Sequence, residues 1–378
     1  MEFIKYKMED IATFSQGKQV EIENQYTEQK ENMKRFLRII DFTNPNEPIR
    51  YVEDFGDRYY ATKDDLVMIR YGSQTCGKVV IGKEGIIANN MFKINLDNSI
   101  VLNRYAYYYL KQDTVYNYLR GSQNSSTMPS INFGILNKLE IEVPSIDNQK
   151  KIIKILNDID QKIELNNEIN NNLYEIGDNL YNEYFGKYKD NLPSDYKIVK
   201  LNEVADNYDS KRKPMSSRER EQHKGMYPYY GATSIIDYVD DYIFDDTYLL
   251  MGEDGTVKTD DGYPVLQYIW GKNWINNHAH VLKGNSISTE LLMFALRKIN
   301  IENIITGAVQ PKINQENMNK IEFVIGSDSK NKELENILKN LMGKSKNIIE
   351  ENIKLEQLRD TLLPRLMNGE IDLDNIEI

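Results

Sequence analysis

Two stretches of the chain carry an apolar seam with heptad spacing. From Ile152 the seam steps by four and three through Leu156, Ile159, Ile163, Asn166, Asn170, Leu173, Gly177, Leu180 and Tyr184. A second runs through Leu334, Leu338, Leu341, Ser345, Ile348, Asn352, Leu355, Arg359, Leu362 and Leu366. A 3.5-residue period held over more than four heptads predicts two long helices that pack as a coiled coil. At 1.5 Å per residue each runs about 50 Å. Alone, each helix would expose its whole stripe, so the natural partner of one is the other. A full antiparallel overlap sets Ile152 level with Leu366 and Asn166 level with Asn352. A facing Asn pair in an apolar seam fixes register at a cost in stability; the alternative is that both Asn face solvent at a seam defect. Pro364 and Gly369 are expected to close the second helix.

Ahead of each seam the period changes. Phe36 to Ile40 and Leu66 to Ile69 read as buried strands, and Lys78 to Ile87 as a hairpin with glycine at its turn. Asn103 to Leu119, with Tyr105, Tyr108, Tyr109 and Val115 on one side, reads as a helix. So does the run after Ser288 or Thr289, either of which is an N-cap for Leu291, Leu292, Phe294, Ala295 and Ile299. A short strand follows in each case, over 138–143 and 320–325. Strands, helix and closing strand make an α+β arrangement.

That order occurs twice because the sequence is duplicated. Pro129-Ser130-Ile131-Asn132 returns as Pro311-Lys312-Ile313-Asn314, and Asn137-Lys138-Leu139-Glu140 as Asn319-Lys320-Ile321-Glu322, both at an offset of 182. The same offset carries Leu173, Asp178 and Leu180 onto Leu355, Asp360 and Leu362. Upstream the register drifts, as loops of unequal length would make it. Two large copies point to a pseudo-twofold arrangement rather than a solenoid, which needs shorter and more numerous units. The expected boundaries are a mixed domain over 1–146, a helix over 147–187, a second mixed domain over 188–328, a second helix over 329–369, and a tail over 370–378.

Composition narrows the function. One cysteine among 378 residues excludes a disulfide framework and a cysteine-rich zinc module, and fits a reducing, cytoplasmic setting. No apolar run approaches 18 residues, so no membrane span is expected. The formal charge of −11 argues against coating nucleic acid by bulk charge. Catalytic signatures are missing. Gly343-Lys344-Ser345 lacks the upstream glycine of a phosphate loop, since position 339 is Lys339, and it lies within a helix. Asn44-Pro45-Asn46 is not the segment of an adenine methyltransferase, and no Gly-x-Ser-x-Gly occurs. His278 and His280 share a strand face at metal-ligand spacing, but no acids or cysteines cluster near them in sequence, and no metal is expected. The chain reads as a binding protein. Its densest basic loop is Lys211-Arg212-Lys213-Pro214-Met215-Ser216-Ser217-Arg218. In the first copy Arg70, Gln74 and Lys78 flank a glycine-rich turn. Arg and Gln suit guanine and adenine edges.

The double plan of domain and helix resembles the specificity subunit of type I restriction-modification systems. So do Pro228-Tyr229-Tyr230-Gly231-Ala232, Tyr248 to Gly255, Asn276 to Leu282 and Leu362-Leu363-Pro364-Arg365-Leu366-Met367-Asn368-Gly369. Val143-Pro144-Ser145 and Gln149 fit the pattern, whereas the second copy departs from it at Gly326-Ser327. The resemblance implies two target recognition domains, each reading half of a split site in double-stranded DNA, with the antiparallel helices as spacer. It implies two methyltransferase subunits docked on the helices, with restriction and motor subunits able to join. S-adenosylmethionine, ATP and Mg belong to those partners, and this chain would be non-catalytic. DNA contacts are expected from Arg70, Gln74, Lys78, Lys211, Arg212, Lys213, Arg218 and Gln310. Helix pairing is expected from Ile152, Leu156, Asn166, Leu173, Leu180, Leu338, Asn352, Leu355, Leu362 and Leu366. The competing reading is a coiled-coil adaptor that binds partner proteins without reading DNA.

Overall fold

The structure, a computed structural model, describes residues 1–44, 47–72, 74–121, 130–307 and 310–373. Pro129 of the repeated motif and Pro45 and Asn46 lie outside them. Contacts divide the chain into two units, Met1–Glu164 with Asn352–Ile378, and Leu165–Glu351. The division falls within the long helices, so each unit owns part of both. Among the described residues no helix is long and apolar enough to cross a membrane.

The first unit contains three small sheets. Phe3–Lys7 pairs antiparallel with Glu140–Pro144. A four-stranded antiparallel sheet follows the order Ala12–Gln16, Met91–Leu96, Leu66–Ile69, Val79–Val80. A second has the order Arg50–Glu53, Met33–Leu37, Gly85–Ile87, Tyr60–Ala61, with its central pair parallel. The second unit repeats this plan strand for strand. Lys197–Lys200 pairs with Glu322–Ile325. The first four-stranded sheet runs Ala205–Asn207, Ala279–Gly284, Tyr248–Gly252, Leu266–Ile269. The second runs Ile235–Val239, Lys224–Tyr230, Lys272–Ile275, Phe244–Asp245, again with one parallel pair at its centre.

Several expectations from the sequence are corrected. The strand expected over 36–40 is Met33–Leu37, after which a short helix, Ile39–Thr43, begins where the Arg38 N–H donates to the Asp41 carboxylate at 2.8 Å. The hairpin expected over 78–87 does not form. Val79–Val80 stays in one sheet and Gly85–Ile87 crosses to the other. A Cβ on Gly85, whose φ is +149°, would stand 2.3 Å from the Arg35 carbonyl oxygen, so glycine there serves a sheet-to-sheet crossing and not a tight turn. The helix expected over 103–119 is two, Asn103–Lys111 and Asp113–Gly121, because Gln112 turns to extended backbone. In the second copy Ser288 is the cap, its hydroxyl accepting from the Leu291 N–H.

The long helices are Ile146–Tyr184 and Asp328–Met367. Pro364 is held inside the last turn of the second rather than ending it, and Gly369 follows at φ +72°. Every residue of both predicted seams is buried or half-buried. In the first unit the two helices run antiparallel: Arg359 meets Asp160 at 3.1 Å, and Lys151 reaches the Leu373 carbonyl at 2.8 Å. In the second unit Asn166 donates to Glu351 at 2.8 Å and Tyr184 to Glu333 at 2.7 Å. These pairs keep the register expected from the seams. Fully buried Ile152, Leu156 and Leu366 join the first unit's main core with Leu66, Phe92 and Tyr105. Leu334 and Leu338 join the second unit's with Leu282 and Phe294. Burial of each such side chain stabilises the helix–domain junction by about 1.5–3 kcal/mol.

One amide clamps each junction. Fully buried Gln149 donates to the carbonyls of Ile100 and Pro144 and accepts from the Leu102 N–H. Its counterpart at offset 182, Asn331, exchanges two hydrogen bonds with Gly326. The second copy has no proline there because the Phe185 ring lies against Gly326, 2.6 Å from where a Cβ would stand.

Candidate nucleic-acid interface

In each unit the strand at the heart of the first sheet, Leu66–Ile69 or Tyr248–Gly252, ends at the same polar junction. The Arg70 carbonyl accepts from the Ile131 N–H at 3.0 Å, and the Glu253 carbonyl from the Ile313 N–H at 2.8 Å. Single bridges add Tyr71 to Ser130 and Asp254 to Lys312. The repeated Ile-Asn motif therefore ties the chain before each short closing strand to the tip of the central strand. The strand on the far side of Met91–Leu96 or Ala279–Gly284 ends beside it, at Gln16 in one unit and just before Asp209 in the other. The backbone frame is the same in both units; the side chains it presents are not.

In the first unit the Arg70 guanidinium donates to Gln16 Oε1 at 2.6 Å and lies over the Tyr71 ring, while its Nε is buried with no acceptor among the described residues. Gln74 and Lys78 are exposed on the turn that follows. Sequence reasoning passed over Lys18, which lies over the rings of Phe55 and Tyr59 at 4.9 and 5.4 Å and lines a cavity of about 300 Å³ with Gln19 and Tyr26. Its counterpart by the upstream register of the repeat is Lys211, which is exposed and lies 4.9 Å from the centre of the Tyr208 ring.

In the second unit the junction is charged and buried. His280 has its Nδ1 2.6 Å from Asp209 and its Nε2 2.8 Å from the Ile313 carbonyl. Both ring nitrogens thus lie within hydrogen-bond distance of an oxygen. Arg212 reaches Glu253 and the Ala279 carbonyl, each at 2.6 Å, and Asp209 at 3.4 Å. Burial would push the Asp209 carboxyl up. Hydrogen bonds from His280, Gln315 and the Val281 N–H outweigh it and hold the group at about 2. Asp209, Glu253 and His280 have ligand-type atoms within 4.8 Å of one another. The acids missing near His280 in sequence do assemble around it in space. The Arg212 guanidinium already occupies the carboxylates, and both imidazole nitrogens are engaged, so the cluster is an ion-pair network in form rather than a cation cage.

The basic loop accordingly divides. Arg212 is a strut of this network, with its side chain 12% exposed, and is not poised on the surface. Lys211, Lys213 and Arg218 are exposed; the Lys213 carbonyl accepts from Trp274 Nε1 at 2.6 Å, and Arg218 rides on a short helix capped by Ser216. Gln310 is exposed beside Lys312, whose ammonium lies 3.3 Å from Glu253. Glu253 and Asp254, in the stretch equivalent to Arg70 to Lys78, belong to the same junctions, as do Gln16 and Gln315, which sequence reasoning missed. Their only signal in the sequence was position relative to the repeat.

A family model for the type I restriction modification DNA specificity domain matches residues 2–175 and 193–357. A putative type I restriction enzyme specificity subunit of Haemophilus influenzae is 33% identical over 139 residues, 36% of this chain and 35% of that protein. The MjaVIII specificity subunit of Methanocaldococcus jannaschii is 26% identical over 42% of this chain and 39% of its own length, so the chain aligns with under half of either of these relatives. The MjaIX specificity subunit of the same organism is 22% identical over 79% of this chain and 76% of its length. Among solved structures, the S subunit of a type I restriction-modification system from M. genitalium superposes with a TM-score of 0.59 at 19% identity, covering 97% of this chain and 96% of that one, and so shares the fold. The chain belongs to the type I restriction modification DNA specificity domain family.

Proposed function

We propose that this chain is the non-catalytic, sequence-reading subunit of a type I restriction-modification complex. Each unit reads one half of a split target in double-stranded DNA, and the paired helices hold the spacing and dock methyltransferase subunits. S-adenosylmethionine, ATP and Mg are used by those partners, and restriction subunits join where the system cleaves. The observation that carries this reading is the duplicated junction. One backbone frame presents Gln16 and Arg70 in one unit, and Asp209, Glu253 and His280 in the other. Identical frames with different side chains suit two half-sites of different sequence. Arginine prefers guanine, and in the second unit the buried network of Asp209, Glu253 and His280 braces the loop that exposes Lys211 and Lys213.

The net charge of −11 fits a subunit that leaves most phosphate neutralisation to its partners and uses half-buried Lys18 and exposed Lys78 and Lys211 locally. Base-edge readers on a stiff spacer suit half-sites about one turn of DNA apart, roughly 34–36 Å. The test is long-read mapping of methylated adenines in cells expressing the chain with its methyltransferase subunit. An interrupted, asymmetric motif is expected. Methylation without sequence preference would favour the adaptor reading.

A further inference from the structure

Of the two histidines in Asn277-His278-Ala279-His280, His280 is locked into the buried network and His278 is not. The His278 side chain is 49% exposed. Its Nδ1 meets the Asp254 carboxylate, and its backbone N–H donates to Asn276 Oδ1 at 2.8 Å. Among the described residues nothing bonds to its Nε2. The residue stands at the reading junction. Its carbonyl accepts from the Glu253 N–H at 2.9 Å, as the Asn90 carbonyl accepts from the Arg70 N–H at 2.8 Å. Asp254, next in the chain after Glu253, bridges to Lys312 of the repeated motif, as Tyr71 bridges to Ser130. His278 with Asp254 thus takes the place in the frame that Asn90 with Tyr71 takes in the first unit.

A half-exposed imidazole–carboxylate pair adds little to stability, so stability does not account for it. What the pair does is set the ring. An ionised carboxylate can only accept, so Asp254 holds the proton on Nδ1 and fixes the ring's orientation. The Nε2 of the neutral ring is then an acceptor left free. In the major groove of DNA the donors are the amino groups of cytosine and adenine, whereas guanine and thymine present acceptors. An acceptor at the junction therefore favours cytosine or adenine at the base it meets.

We infer that His278 is a specificity-determining residue of the second unit: its Nε2 accepts from the exocyclic amino group of one cytosine or adenine, and Asp254 is its positioning residue. The inference rests on the reading above that the chain recognises a split DNA target. A second imidazole–carboxylate pair supplies the control. His223 meets Asp240 at 3.2 Å, at the end of the Ser217–Gln222 helix and beside the Ile235–Val239 strand rather than at the junction.

The experiment measures DNA binding by the full chain assembled with its methyltransferase subunit, at about pH 8, where an imidazole is ordinarily neutral. Each cytosine of the target is replaced in turn by 2-pyrimidinone and each adenine by purine, which lack the amino group. At one position of one half-site this should weaken binding by the parent about two- to tenfold, the size of one hydrogen bond, through a contact that His278→Ala removes. The same replacement should cost the His278→Ala complex nothing and the Asp254→Ala complex less than the parent. His223→Ala should match the parent at every position. His278→Ala and His223→Ala should both keep the parent's thermal midpoint, since both rings are about half exposed. A His278→Ala complex that pays the parent's full penalty at every replaced base, or that loses affinity for all sequences alike, overturns the inference. So does a His223→Ala complex that loses the same discrimination. A parent complex that prefers no sequence overturns the reading on which the inference rests as well, and the methylation map reports that failure separately.

Discussion

The same substitution, glycine to alanine, should have opposite signs at two positions in the long helices. Both Gly177 and Gly343 sit within helices, where alanine is favoured by roughly 0.8–1 kcal/mol. A Cβ on Gly343 would meet nothing within 4 Å, so Gly343→Ala should collect that gain. A Cβ on Gly177 would stand 2.2 Å from two carbons of the Phe294 ring. That ring is 1% exposed and packed against Tyr174, so it has nowhere to go without moving the Thr289–Leu296 helix. Overpacking of this kind costs about 1–3 kcal/mol. Net of the propensity gain, Gly177→Ala should destabilise the second unit by up to about 2 kcal/mol. In thermal denaturation followed by circular dichroism, each kcal/mol moves the midpoint by about 2–4 °C for a unit of this size. The two variants should therefore fall on opposite sides of the parent. If Gly177→Ala raises the midpoint as Gly343→Ala does, the close approach of Phe294 to the helix is wrong.

Removing the Lys211 ammonium should weaken DNA binding by the assembled complex without changing stability, and should lower the slope of log affinity against log salt by about one. Arg212→Ala should instead lower stability by about 1–3 kcal/mol, because Glu253 and the Ala279 carbonyl lose their buried donor; titration with urea separates the two variants. The depressed Asp209 carboxyl contributes stability that is complete above the usual carboxylate range and is lost as pH falls towards 2, about 2 kcal/mol in all. Urea midpoints measured from pH 5 down to pH 2 should fall more steeply for the parent than for Asp209→Asn. Arg70→Ala should cost about 1–3 kcal/mol of discrimination at one base of one half-site and leave the other half-site unaffected, as read from binding to a panel of single-base target variants.

The sequence exposed whatever depends on neighbours a few positions apart. The seams through Ile152 and Leu366 have a fixed period, and the repeat carries its own register from Asn137 to Leu180. What it concealed depends on pairing across the fold. The parallel contact of Met33–Leu37 with Gly85–Ile87 joins strands about fifty positions apart, and nothing local marks Gly85 as a crossing point rather than a turn. Gln112 carries no proline or glycine signal, yet it breaks its helix. The network around His280 was hidden because Asp209 is 71 positions away and Ile313 is 33 away. Arg212 looked like a surface cation because its loop is basic, and only the fold turns it inward.

The ring of Phe3 lies against Gly369, 2.7 Å from where a Cβ would stand. The first strand of the chain and the close of its second long helix are thus next-door neighbours within one unit. A short bridge from 373 back to 1, with fresh ends opened in the 189–195 stretch, should yield a circularly permuted molecule that keeps these neighbours together and folds like the parent.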